Sequence, residues 1–227
     1  MVKKSYFVTG TDTGVGKTLV TAGLLLAAKA RGLSTAALKP VAAGCEATPE
    51  GLRNEDAVLL QSVITQPLAY EQINPVALEL AIAPHIAAQQ ARRVLSVDRL
   101  AGFCRGVLNQ ADVTLVEGAG GWRVPLNSAE TLADLARALQ LPVILVVGIR
   151  LGCISHAMLT AEAIGRDGLP LAGWVANIID PDMPCLQENI VSLQQRLAAP
   201  CLGVVPYQGA VASPDALVDL FSGVELF

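Results

Sequence analysis

The segment Gly10-Thr-Asp-Thr-Gly-Val-Gly-Lys-Thr18 constrains the fold of this chain more than any other. It follows the apolar run Tyr6-Phe-Val8 and opens a helical pattern at Leu19. Strand, Gly-rich loop, helix is the order of a phosphate-binding P-loop. Backbone N–H groups at a helix N-terminus converge on an anion, and the helix dipole favours negative charge there. Gly14 and Gly16, on either side of Val15, let the backbone approach phosphate oxygens. Lys17 is placed to reach the terminal phosphates, and the Thr18 hydroxyl suits Mg²⁺. The spacing departs from the usual G-x-x-x-x-G-K-[ST]. Five residues separate Gly10 from Gly16, and Thr11 holds the position where the first glycine is expected.

Composition agrees with an α/β reading. At roughly 150 residues per domain, 227 residues fit one domain spanning 1–227. Apolar residues make up 52% and aromatics only 4%, so the core is aliphatic, as in buried parallel strands covered by Ala-rich helices. The net charge is −4 and no basic run exceeds two residues (Lys3-Lys4, Arg92-Arg93), which argues against a nucleic-acid partner. Five cysteines without CxxC spacing read as reduced thiols in a cytoplasmic protein. No signal-peptide pattern opens the sequence. Apolar runs such as Leu141–Ile149 fall far short of the roughly 20 residues that span a bilayer, so no membrane association is expected.

Continuous apolar runs alternate with helical periodicity. The expected strands are Tyr6–Thr9, Thr35–Lys39, Val113–Glu117, Val143–Gly148, Leu171–Asn177 and Leu202–Val205. Leu100, Phe103, Cys104, Val107 and Leu108 share a helical stripe. So do Leu132, Leu135, Ala136 and Leu139, after an expected Ser128 N-cap, and Leu186, Ile190, Leu193 and Leu197. Pro142 and Pro170 end the helices before two of the strands. Such alternation predicts a P-loop NTPase-like α/β fold, with a mostly parallel central sheet and helices on both faces. Residues 41–95 are the least regular and read as an excursion over the sheet edge.

Open parallel sheets bind ligands beyond the C-terminal ends of their strands. Glu117 ends a buried strand beside the P-loop, the usual place for a Mg²⁺ ligand, and Gly118-Ala119-Gly120 allow close approach of backbone to nucleotide. Lys39 is either a solvated strand-end lysine or a charge aimed into the crevice. Asp56 is either a helix-start acid, favoured on position alone, or a second Mg²⁺ ligand. Gly152-Cys153-Ile154-Ser155 precedes a helix and reads equally as an anion site or as a plain Ser155 N-cap. His85 looks like a helix start, and His156 has no partner at ligand spacing, so neither supports a zinc-type site.

Taken together these residues resemble one family, dethiobiotin synthetase. Its P-loop, Gly-Thr-Asp-Thr-x-Val-Gly-Lys-Thr, carries the same extra residue as Gly10–Thr18. Lys39-Pro-Val-Ala with Gly44, Thr48–Ala57, Val116–Trp122, Leu151–His156 and Gly173–Asn177 continue the match. The resemblance implies that 7,8-diaminopelargonate, CO₂ and MgATP become dethiobiotin, ADP and phosphate. It implies that Thr18, Asp56 and Glu117 hold Mg²⁺, and that Lys17 and Lys39 balance charge on phosphate and carbamate. ATP would lie along Gly14–Leu19, Gly118–Gly120, Asn177 and Pro206-Tyr207-Gln208, and the diamine near Thr13 and Ala43. It implies a homodimer with the active site at the subunit interface, where Gly152–Ser155 of the second subunit holds the substrate carboxylate.

Three positions depart from the family's pattern. Ala43 stands where Ser is common, Ser155 where Asn is common, and Ile178 where Asp often follows the asparagine. A lost neutral hydrogen bond is worth about 0.5–1.5 kcal/mol, which need not abolish activity. A diverged paralogue with a related substrate is therefore one alternative. A partitioning-type ATPase is another, but that group carries Lys where this chain has Asp12.

Overall fold

All six expected strands form in the computed structural model, which describes residues 3–209 and 213–227. In chain order the first elements are β1 (Lys4–Gly10), α1 (Lys17–Ala30), β2 (Thr35–Leu38), β3 (Val41–Ala43), β4 (Glu46–Thr48) and β5 (Gly51–Arg53). Then come α2 (Glu55–Val63), α3 (Tyr70–Ile73), β6 (Val76–Leu78), α4 (Pro84–Gln90), α5 (Val97–Leu108) and β7 (Val113–Gly121). The remainder is α6 (Leu132–Leu139), β8 (Val143–Ile149), α7 (Cys153–Arg166), β9 (Leu171–Ile178), α8 (Leu186–Arg196), β10 (Cys201–Val205) and α9 (Val218–Phe221).

The six long strands make one parallel sheet in the order β10-β9-β8-β1-β7-β2. Alternation along each strand separates two faces. Phe7, Ala36 and Leu38 pack under α5 and α6, and Leu145, Val147 and Trp174 under α7 and α8. Tyr6, Val8, Ala37, Ile144 and Val146 face α1, α2 and α9 on the other side. Both faces are covered, which is why the strands read as unbroken apolar runs. No helix among the described residues is long and apolar enough to cross a membrane.

The structure corrects three local expectations. The buried stripe of α5 begins at Val97 and runs through Leu100, Ala101, Cys104 and Val107. Ala101 therefore faces the core, and Phe103 is turned out with half of its surface exposed. The N-cap of α6 is Thr131, not Ser128, because Asp134 closes a capping box on the Thr131 N–H and hydroxyl, both at 2.8 Å. Ser128 instead sits in the turn closed by the Leu126 N–H donating to the Glu130 carbonyl at 2.8 Å. The excursion 41–95 carries structure of its own, two small sheets (β3-β6 and β4-β5) and the helices α2, α3 and α4.

Candidate active site

The site follows from strand register. β7 lies beside β1 with Glu117 opposite Val8, so Glu117 surfaces level with the loop that leaves β1. On the other side of β7, Leu38 of β2 pairs with Val116, which brings Lys39 to the same level. Asp56 arrives from α2, whose N-cap Asn54 accepts from the Ala57 N–H.

These side chains meet. The Thr18 hydroxyl donates to Glu117 Oε1 at 2.8 Å. Lys39 Nζ donates to the same Oε1 at 2.5 Å and to Asp56 Oδ2 at 2.8 Å. Lys39 is 4% exposed, so it is no solvated strand-end lysine. Asp56 is both a first-turn acid and a member of the cluster. Glu117 is fully buried, and its Oε2 has no hydrogen-bond partner.

Burial and charge set the protonation of the cluster. Burial alone would lower Lys39, but the Glu117 and Asp56 carboxylates outweigh it and raise its value. Burial would raise Asp56, but Lys39 beside it holds the carboxyl below its usual value. Lys17 has less help: burial first and the Lys39 charge second bring it down to about 8.

Lys17 opens α1, and its Nζ donates to the Asp12 carbonyl at 2.9 Å. The Asp12 carboxylate accepts from the Thr13 N–H at 2.7 Å and pairs with Arg150 at 2.6 Å. Gly120 has φ +65°, and a Cβ there would lie 2.9 Å from Val124 and 3.3 Å from the Thr13 hydroxyl. Only glycine lets β7's outgoing turn close on the loop.

Around this cluster is a cavity of about 800 Å³. Its polar side is formed by Thr13, Gly14, Gly16, Lys17, Thr18, Lys39, Asn54 and Asp56. Its apolar side is Leu19, Ala42, Ala43, Ala81, Ile82, Ala83, Pro84, Ala119, Val124 and Pro125. Val15 is buried beneath the loop. Glu117 and Gly118 stand behind the cavity wall, with Gly120 on it.

Other candidates lie elsewhere. Gly152–Ser155 follows β8, and Gly152 itself is the N-cap of α7 with no side-chain bond. Ser155 is the third helical residue and exposed, so it is not the cap, and Cys153 is buried. Asn177 is the next-to-last residue of β9, opposite Val205, and Pro206-Tyr207-Gln208 continues from β10. None of these lines the cavity of this single chain.

Sequence reasoning missed Arg150 as the partner of Asp12, and the Ala81–Pro84 wall. The Pro84 helix start was the only local signal for the latter. Among the described residues no trio of His, Cys, Asp and Glu gathers to hold a metal. The cluster instead offers two carboxylates and one hydroxyl. These are hard oxygen donors, which suit Mg²⁺ completed by phosphate oxygens and water. The unpartnered Glu117 Oε2 fits the same demand.

The profile of a family described as an AAA domain matches residues 4–215. A protein of Cellvibrio japonicus named ATP-dependent dethiobiotin synthetase BioD is 69% identical over 216 residues, covering 95% of this chain and 94% of its own length. Its namesake in Marinobacter nauticus is 59% identical over 91% of this chain and 89% of its own. Among solved structures, the septum site-determining protein MinD of Pyrococcus horikoshii, complexed with Mg-ADP, superposes with a TM-score of 0.60 at 17% identity. That match covers 97% of this chain and 95% of MinD, and it bears on the fold alone.

Proposed function

Because this chain belongs to the family of ATP-dependent dethiobiotin synthetases, we propose that its P-loop cavity closes the ureido ring of dethiobiotin. The protein is an ATP-dependent carbon–nitrogen ligase of biotin synthesis, converting 7,8-diaminopelargonate, CO₂ and ATP into dethiobiotin, ADP and phosphate. The observation that supports this use of the cavity is the convergence of Thr18, Lys39, Asp56 and Glu117 beside Lys17.

In this reading one neutral substrate amine attacks CO₂ and releases a proton to solvent, leaving a carbamate anion. A carbamate oxygen attacks the γ-phosphorus, ADP leaves, and a carbamic–phosphoric anhydride forms. The second amine then attacks the carbonyl carbon and gives up a proton to the departing phosphate, which leaves with the electron pair of the C–O bond as the ring closes. Such a reaction asks the protein for positioning and charge neutralisation. Loop amides from Gly14 to Thr18 cradle the phosphates, with Leu19 behind them. Lys17 carries the positive charge to the γ-phosphoryl group. Lys39 is the charge partner of the carbamate and the migrating phosphoryl group. Gly118–Gly120 let the nucleotide lie close to β7, and Asn177 with Pro206–Gln208 lies on the base side. Thr13 and Ala43 flank the diamine, whose methylene chain suits the apolar wall at Ala81–Pro84.

Thr18, Asp56 and Glu117 would hold Mg²⁺, which when bound neutralises charge on the β- and γ-phosphates. The chain works as one domain in the cytoplasm and as a homodimer. In that dimer Gly152–Ser155 of the partner subunit completes the site by holding the substrate carboxylate. Support for the dimer comes from Leu151 and Leu159, 87% and 62% exposed around the start of α7.

Phosphate release from ATP, measured with and without diaminopelargonate and bicarbonate, tests the function. Strong stimulation by the diamine is expected, and release that ignores it would sink the proposal.

A further inference from the structure

Asn177 reads from sequence as part of the base pocket, yet its side chain is already engaged. Nδ2 donates to the Val15 carbonyl at 2.8 Å, and Asn177 is buried. It reaches the loop from beneath, because it does not line the cavity that Gly16 lines. A Cβ on Gly16 would stand 2.2 Å from Asn177 Nδ2. Asn177 is paired with Gly148 of β8, and a Cβ on Gly148 would stand 2.7 Å from Val15 Cγ1. The Val15–Gly16 peptide is thus seated on the ends of β8 and β9.

A trans peptide points its C=O and the following N–H in opposite directions. No peptide among the described residues is cis. With the Val15 carbonyl turned down onto Asn177, the Gly16 N–H is turned up to the cavity side. We propose that Asn177 is a positioning residue of the phosphate site: its amide locks the Val15–Gly16 peptide so that the Gly16 N–H faces the phosphates. Gly16, at positive φ on one side of this peptide, would otherwise let it turn over, presenting a carbonyl oxygen to an anion. The inference rests on the P-loop as the triphosphate site, and it is separate from any contact between Asn177 and a base.

The test separates phosphate from base. Titration calorimetry on wild type, Asn177→Ala and the nearly isosteric Asn177→Leu compares ATP with inorganic tripolyphosphate, each with Mg²⁺. Loss of one buried hydrogen bond predicts about a tenfold weaker affinity for both ligands. A variant that binds tripolyphosphate as wild type does, while losing ATP, returns Asn177 to base recognition and overturns the proposal. Unchanged binding of both ligands overturns it as well. If Asn177→Leu does not fold, Asn177→Ala removes the same donor without adding bulk, and thermal unfolding establishes its integrity. Wild-type protein that binds neither ligand would overturn the triphosphate site itself rather than the role of Asn177.

Discussion

Lys17 and Lys39 share one buried site but hold their charges by different means. Lys39 has two carboxylates within 2.8 Å, whereas the Nζ of Lys17 contacts only a backbone carbonyl. Burial therefore wins at Lys17 and brings it down to about 8. A triphosphate favours the charged form, so ATP binding at pH 8.5 is expected to take up a proton. Calorimetry in buffers of different ionisation enthalpy would measure that uptake, and Lys17→Arg should abolish it while keeping a charge. At Lys39 and Asp56 the linkage runs both ways. An ammonium raised by its partners stabilises the fold below its unfolded value, near 10.5, and loses that contribution as pH rises through the folded value. A depressed carboxyl stabilises above its unfolded value, near 3.8, and loses that contribution as pH falls through the folded value. Lys39→Met leaves Glu117 buried without its cation, at a cost of about 3 kcal/mol between those limits. Urea unfolding should show the gap to wild type shrinking in acid. The same variant should lose turnover far more than ATP affinity, since its partner in the proposed reaction is the carbamate. Turnover that survives Lys39→Met would rule out that role.

Elements were legible where their signal is local. The strands ran as continuous apolar segments because both sheet faces are covered, and Glu117 stood out because an acid ending such a strand must be accounted for. Cross-chain pairing leaves no local pattern. Nothing near Asp12 announces Arg150, 138 positions away. Nothing near Lys39 decided between solvent and the crevice until β2 was set beside β7. The caps differ: Thr131-x-x-Asp134 is a local capping-box signal that the choice of Ser128 overlooks, whereas Gly152 caps α7 with no side-chain bond at all. The joint between β7 and α7 belongs to this hidden class. Trp122, just past β7, donates its indole N–H to Asp167 Oδ2 at 2.7 Å, and Arg123 pairs with the same carboxylate at 2.9 Å. Asp167 is the C-cap residue of α7. Asp167→Ala strands a largely buried indole N–H, and a loss of about 2 kcal/mol is expected in chemical denaturation. Asp167→Asn keeps an acceptor and should recover most of it; equal losses in the two variants would show that the indole bond is not what matters.

At the scale of the molecule, the sheet order divides the proposed chemistry between two places. The loop after β1, the end of β7 and Lys39 after β2 lie on adjacent strands, and the cavity sits over them. The Gly152–Ser155 turn leaves β8, on the opposite side of β1, and does not reach that cavity. A single chain thus separates the phosphate cradle from the turn proposed to hold the substrate carboxylate, and a second copy would supply it. Leu151, just ahead of α7, and Leu159 on its outer side are exposed, whereas Ile154 and Met158 are half-buried against the core. An apolar helix face left open to water is the kind of surface that association covers. The MinD-like architecture does not by itself dictate such a pairing, and Asp12 tied to Arg150 replaces the lysine expected of a switch ATPase at that position. Placing charges on the α7 face with Leu151→Asp and Leu159→Glu should yield monomers in sedimentation. Both residues are exposed, so folding and ATP affinity should stay within about twofold of wild type. Ring closure should fall at least tenfold, with the loss concentrated in the KM for the diamine. Persistent dimers would mean the pairing uses another face. Monomers that close the ring at the wild-type rate would mean that one chain holds the whole site.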